Sequence, residues 1–410
     1  MPVGIGEVDR VLGGGLVPGA LVLLGGEPGI GKSTLVLETA AGVLRAPGGG
    51  GAVLYATGEE SAEQVHLRAD RLGLLDGPAG AGIRILAATD LAGILAAADA
   101  LAPRLLIIDS VQTLTTAELE GPAGSVGQVR EAAGRIGAWS HAGGTPVVLV
   151  GHVTKDGSLA GPRTLEHLVD VVLQLEGDRY GALRLLRSAK NRFGSTEEVG
   201  VLEMTGAGLR PVADPARAFL GEGSRDAPGV AVAWGLEGTR PLCIEVQALV
   251  APAAGIGVPR RTVAGIEANR LALLVAVLAR RCGTNLSGHD LYASLAGGAS
   301  VEEPALDLPL ALALVASFRD LPVPPGVVAC GEVSLLGELR PVRGIDRRLR
   351  EAARLGFRSA VVPAADGLPD RVDALAVRPV RTLRDALLLL LPPDGSATPS
   401  VRAAGSLPGS

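Results

Sequence analysis

Lysine is nearly missing from this chain. Of its 38 basic residues only Lys32, Lys155 and Lys190 are lysines; the rest are arginines. The excess of Ala, Gly, Leu and Arg over Lys, Phe and Tyr reads as a genomic base-composition bias that put arginine wherever a generic positive charge was enough. A lysine that persists therefore marks chemistry that a planar, permanently charged guanidinium cannot do. Cysteine is scarce too. Cys243, Cys282 and Cys330 are far apart and odd in number, and no Cys-x-x-Cys pair occurs. That usage excludes a disulfide framework, leaves zinc unexpected in this chain, and fits a reducing compartment. Long apolar runs are also lacking: "LALLVAVLA" and "ALLLLL" are too short to cross a bilayer, and "MPVGIGEVDR" has no basic segment leading into an apolar one. The expectation is a cytoplasmic protein with no membrane contact. Nor is there a basic surplus. The net charge is −5, so any nucleic acid must be met by a local patch or ring.

What is present suffices for two hydrophobic cores, since 410 residues that are 47% hydrophobic and 20% charged make a globular balance. From about residue 20 to about 205, short β-branched runs alternate with helical patterns, as in a mostly parallel sheet with crossover helices. The strand candidates are "ALVLLGG", "AVLYATG", "RLLIIDS", "PVVLVGHV", "DVVLQLEG" and "ALRLLRSAK". The Pro- and Gly-rich stretch 213–228 reads as a linker. Beyond it, "NRLALLVAVLARRCG" reads as a helix capped by Asn269 and stopped at Gly283, and "IDRRLREAARLG" as an amphipathic helix ending at Gly356. The tail 393–410 is poor in core-forming residues and is expected to be disordered. No internal repeat is seen.

The strongest local signal is "LVLLGGEPGIGKSTLVLETA". Gly26, Glu27, Pro28, Gly29, Ile30, Gly31, Lys32 and Ser33 fit G-x-x-x-x-G-K-[ST], followed by Thr34, with a strand before and a helix after. Glycines let backbone N–H groups wrap phosphates, and the helix N-terminus adds its positive end. Lys32 would reach the β/γ-phosphates of ATP as a compact charge, and Ser33 would hold Mg²⁺. A second metal-side carboxylate is needed on a neighbouring strand, and "RLLIIDS" ends in Asp109 where it can serve. Glu59 and Glu60, in "YATGEESAEQ", follow the second strand. Either one orients the attacking water, Glu59 being the first choice, or both merely enrich a helix's first turn with negative charge.

"GIGEVDRVLGGGLVPGALVLLGGEPGIGKSTL", "GEESAEQVHLRADRLGL", "IIDSVQTL", "GSVGQVRE", "VGHVTKDGSLAGPRTLEH" and "KNRFGST" together resemble RadA (Sms), the family of bacterial DNA-repair ATPases. The resemblance extends through "LEGTRPLCIEVQALV" and "EEPALDLPLALALVASF" to about residue 363. It implies an α/β fold: a RecA-like P-loop ATPase domain over 1–212, then an α+β Lon-protease-like domain of the ribosomal S5 domain 2-like class over 229–392. It further implies a homo-hexameric ring on single-stranded and branched DNA, promoting branch migration alongside the RecA recombinase. Family members begin with a four-cysteine zinc finger that has no counterpart in these residues.

By the same resemblance, the loop "GHVTKDGSLAGPRTLEHLVD" faces DNA through Lys155 and Arg163, with His152 at its root sensing the γ-phosphate. The alternatives are a solvated surface loop and a buried structural histidine. A mobile loop that grips successive phosphates gains affinity from each cation. "TTAELEGPAGSVGQVRE" reads as a second pore loop with Gln128 and Arg130 as contacts. In the motif Lys190, Asn191, Arg192, Phe193, Gly194, the two cations alternate on an extended segment and point the same way. They are either a finger supplied to the neighbouring subunit's γ-phosphate or an edge-strand charge pair.

The second domain invites a peptidase reading, because its segments resemble those that carry Lon's Ser-Lys dyad. Read in register, Ala305 stands where the serine should be and Asp346 where the lysine should be. No lysine follows Lys190, and arginine does not deprotonate in a protein. The expectation is a structural and DNA-binding scaffold, not a protease.

Overall fold

A computed structural model describes residues 1–46, 50–151, 165–177, 181–220, 226–253, 258–296 and 303–392. The chain divides into two compact units, Met1–Ala213 and Asp214–Ser410.

The first unit is built on a sheet of nine strands among the described residues: β1 (Leu21–Gly26), β2 (Val53–Thr57), β3 (Ile83–Ala87), β4 (Leu105–Asp109), β5 (Val147–Val150), β6 (Val171–Glu176), β7 (Leu183–Asn191), β8 (Val199–Thr205) and β9 (Gly208–Pro211). Their order is β3-β2-β4-β5-β1-β6-β7-β8-β9, parallel from β3 to β6 and antiparallel from there to β9. β1 is buried along its whole length, because helices cover both faces of the parallel part and leave no solvent side to alternate with. One core packs α1 (Gly6–Leu12), α2 (Lys32–Arg45) and α3 (Ala62–Arg71) on one face, with Tyr55, Leu173 and Leu186 among its residues. The other packs α5 (Leu91–Leu101) and α6 (Val126–Gly143) through Ile94, Ile136 and Leu149; a short α4 (Gly77–Gly82) precedes β3. All six expected strands are present. β3, β8 and β9 were not expected, because Gly200 interrupts the apolar run of β8 and β9 has only four residues.

The second unit holds an eight-stranded mixed sheet among the described residues. The helices Ala268–Cys282, Asp307–Arg319, Ile345–Arg354 and Leu383–Leu390 belong to the same unit. Overall, the expected architecture, a RecA-like α/β domain followed by a second α/β domain, is the one observed.

Two local expectations need correction. The stretch expected as a linker is in part folded: Pro215–Arg217 form a 3-10 turn, Ala216 and Phe219 are buried, and Phe219 bridges to Ile244. Apolar Phe219 is too costly to leave in water. The helix Ala268–Cys282 is capped not by Asn269 but by Glu267, since Asn269 already lies in its first turn; Gly283 does end it, at φ 70°. The tail 393–410 lies outside the described residues.

Candidate nucleotide-binding site

The geometry of the G-x-x-x-x-G-K-S segment follows from its residue types. β1 ends at Gly26, the loop turns through Gly31 at φ 116°, and α2 starts at Lys32. A residue with a Cβ is strained at that φ, and the Cβ would overlap the Met204 methyl. The Lys32 side chain folds back over the loop, with Nζ donating to the carbonyls of Gly26 and Glu27, both at 2.9 Å. Burial pushes the pKa of Lys32 down, offset in part by the carboxylates of Asp109 and Glu59. Lys32, Asp109 and Glu59 are therefore gathered at the C-terminal ends of β1, β4 and β2.

Asp109 is buried at the end of β4, where the Tyr55 hydroxyl donates to its Oδ2 at 2.6 Å. Burial and then Asp109 itself push the Tyr55 pKa well up, so Tyr55 remains a donor. The two glutamates part company here. Glu60 accepts two hydrogen bonds from the Arg68 guanidinium of α3, at 2.6 and 2.5 Å. A carboxylate whose two oxygens are both taken by that fork is the poorer candidate for orienting a water, so the structure favours Glu59 over Glu60. Glu59 is exposed at the strand tip and takes a hydrogen bond from Ser110, the residue after Asp109. Gly58 before it admits no side chain, because a Cβ would collide with Thr113.

Gln128 is also corrected. It is 2% exposed, and its amide is spent on the backbone of Thr116 and Leu119 and the Thr116 hydroxyl. It staples the segment after β4 onto α6 and does not face solvent. Arg130 is exposed one half-turn further on. His152, Lys155 and Arg163 lie outside the described residues.

The Lys190 motif sits at the opposite end of the parallel strands, beside the starts of β6 and β1. A β-bulge at Ala189 separates the pairs Val172–Lys190 and Leu173–Ser188, and the Ser188 hydroxyl donates to the Lys190 carbonyl at 3.1 Å. Lys190 Nζ donates to the carbonyls of Glu166 and Val169, at 2.6 and 2.8 Å. Arg192 donates to Asp170 Oδ1 at 2.9 Å, and Asp170 also takes the N–H of Leu21 at 3.0 Å. Asn191 turns the other way, to the Val11 carbonyl at 3.4 Å. Phe193 is exposed, and Gly194 lies close to Gly13. Since Leu21 begins β1 and the phosphate loop starts where β1 ends, the two cations stand roughly 16 Å from it along the strand.

Sequence reasoning missed Arg184, buried on β7, whose Nε donates to the carbonyl of Ile30 at 3.0 Å. A buried arginine in an otherwise apolar strand pattern was the available signal. It also missed Tyr55 and Arg68, which only their contacts reveal.

The loop, the buried lysine and the strand-ending aspartate suit a nucleoside triphosphate with a divalent cation. This combination defines a P-loop ATPase. Comparison narrows it. A family model described as an AAA domain matches residues 5–158, and one described as subunit ChlI of Mg-chelatase matches residues 267–366. The DNA repair protein RadA of Synechocystis is 46% identical over 411 residues, covering 96% of this chain and 80% of that protein. RadA of Mycolicibacterium smegmatis is 49% identical over 366 residues, and RadA of Bacillus subtilis 46% over 362; each alignment covers 88% of this chain and 77% of the relative. The chain belongs to the RadA family of DNA repair proteins. No helix among the described residues is long and apolar enough to cross a membrane.

Proposed function

We propose that this chain is a DNA-stimulated ATPase of recombinational repair, a homo-hexameric ring that moves on single-stranded DNA and promotes branch migration with the RecA recombinase in the cytoplasm. Residues Gly26 to Thr34 hold the phosphates of ATP, with Lys32 leaving its two carbonyls for them. Ser33 and Asp109 hold magnesium, which when bound neutralises charge on the β- and γ-phosphates. Glu59 orients the attacking water, and Ser110 and Gly58 keep it at the strand tip. Lys190 and Arg192 serve the nucleotide of the neighbouring subunit. Lys155, Arg163 and Arg130 supply local cations for DNA, in a chain whose net charge of −5 gives no general attraction. His152 senses the γ-phosphate.

One observation supports the ring: Lys190 and Arg192 lie at the end of the parallel strands remote from their own phosphate loop, so they are better placed for the nucleotide of another copy than for their own. The rival is an ATP-gated scaffold that loads partners on DNA and uses hydrolysis only as a timer. A branch-migration assay separates them. Movement with ATP but not with a non-hydrolysable analogue is the expected outcome, and equal activity with both would refute the motor.

A further inference from the structure

A phosphate loop must aim its N–H groups at the ligand and dispose of the carbonyls that point away. In a trans peptide the C=O and the following N–H lie on opposite sides. Whatever holds the Ile30 carbonyl outward therefore holds the Gly31 N–H inward. Here that carbonyl accepts its hydrogen bond from Arg184 Nε, a residue of β7, which is separated from β1 by β6.

The guanidinium is itself fixed. Its Nη1 donates to the carbonyls of Gly181 and Leu183, at 2.6 and 2.8 Å, and the residue is 4% exposed. Gly177, at φ 150°, packs beneath this fork: a Cβ there would collide first with the Leu183 carbonyl, at 2.6 Å, and would stand 3.0 Å from the arginine's Cδ and 3.4 Å from Nη1. The same antiparallel extension places the Met204 methyl against Gly31. A charge this deeply buried costs stability unless its hydrogen bonds are made, and three of them go to carbonyls in fixed positions.

We propose that Arg184 is a positioning residue for nucleotide binding: its fork pins the Ile30–Gly31 peptide so that the Gly31 N–H is preset toward phosphate. The effect belongs to binding and not to the chemical step, because the same peptide faces the phosphates of ATP and ADP alike. The proposal rests on the phosphate-loop reading alone, and neither the ring nor DNA enters it.

The test uses the full chain with Arg184→Lys and Arg184→Met. Dissociation constants for ADP are measured beside steady-state ATP kinetics and thermal melting. Losing the charged hydrogen bond should raise the ADP Kd and the ATP KM by about tenfold to a hundredfold. kcat should stay within about threefold. The lysine variant should lose as much as the methionine variant, since one ammonium cannot span the three carbonyls. Gly177→Ala keeps the arginine but displaces the Leu183 carbonyl that holds its Nη1; it should move the same constants in the same direction by a smaller factor, and unchanged constants in the folded variant count against the proposal if the substitutions at 184 do not fold. A folded Arg184→Lys protein with Kd and KM within about twofold of the parent overturns the proposal, whatever its melting temperature. Lys32→Ala is the control: if it abolishes ADP binding while Arg184 variants bind normally, the site stands and only the role of Arg184 falls.

Discussion

Two adjacent glutamates carry the same charge and the same reach, yet their neighbours give them different work. Glu60 is held in a fork by Arg68, eight positions on, whereas Glu59 is bonded to Ser110 and lies close enough to Lys32 to counter the fall of its pKa. Replacing Glu59 by Gln should lower kcat by roughly 10²- to 10⁴-fold while leaving the ATP dissociation constant unchanged. Replacing Glu60 by Gln should leave kcat near the parent value and cost no more than about 1 kcal/mol in a denaturation curve, because the pair is partly solvated. A Glu59 variant with full turnover would refute the assignment. Gln128 teaches the same lesson. Its amide was read as a DNA contact from its place in a polar segment, but it is a buried staple. Gln128→Ala should destabilise the chain by about 1–3 kcal/mol, whereas Arg130→Ala should leave stability alone and reduce the salt dependence of DNA binding by a slope of about one.

At the scale of elements, the antiparallel extension β7 to β9 does what the parallel sheet cannot. It ties the phosphate-loop helix from behind. Glu38 of α2 is buried, and its carboxylate accepts the N–H of Leu209 in β9, at 3.1 Å. Burial pushes the Glu38 pKa up from 4.5 to about 7, against the pull of Arg210 and the Leu209 N–H. The folded chain thus binds this proton more tightly than the unfolded chain does. The stability it contributes is full below about pH 4.5 and is lost as the pH rises through about 7. Melting curves of the full chain and of Glu38→Gln should therefore diverge across that window, with the variant gaining relative to the parent as the pH rises. Parallel curves would show that the carboxyl is not held in this way. None of this was visible in the sequence, where "GLRP" is too short for a strand and Glu38 looks like one more helical charge. The P-loop, by contrast, was legible in full, since its backbone conformation demands particular residues at fixed spacing.

For the whole molecule, the proposed ring makes the sharpest prediction. Lys190→Ala should bind nucleotide normally and lose DNA-stimulated turnover, and mixing it with Lys32→Ala should restore part of the activity, because each lesion then falls in a different half of a shared site. No recovery in mixed rings, with the mixing verified by mass, would remove the trans assignment. The second unit answers to a different measurement. At the two positions that the resemblance to Lon would assign to the dyad stand a buried Ala305 and an exposed Asp346, and neither side chain can act as a serine nucleophile or a lysine base. Casein should stay intact in the presence of the chain, and degradation abolished by a serine substitution in this unit would overturn that view.

The sequence by itself determined the phosphate loop, the strand-ending Asp109, the six strands around them and the family, because each depends on local backbone demands or on motifs of contiguous residues. Lys32 was legible for the same reason, since it belongs to that contiguous motif. Only the tertiary structure decided that Arg68 holds Glu60 while Ser110 holds Glu59, that Gln128 is a staple, that Arg184 reaches the loop from β7, and that Lys190 bonds to the carbonyls of Glu166 and Val169. Those outcomes rest on contacts between residues far apart in the chain, and such contacts exist only once the sheet has brought their strands side by side.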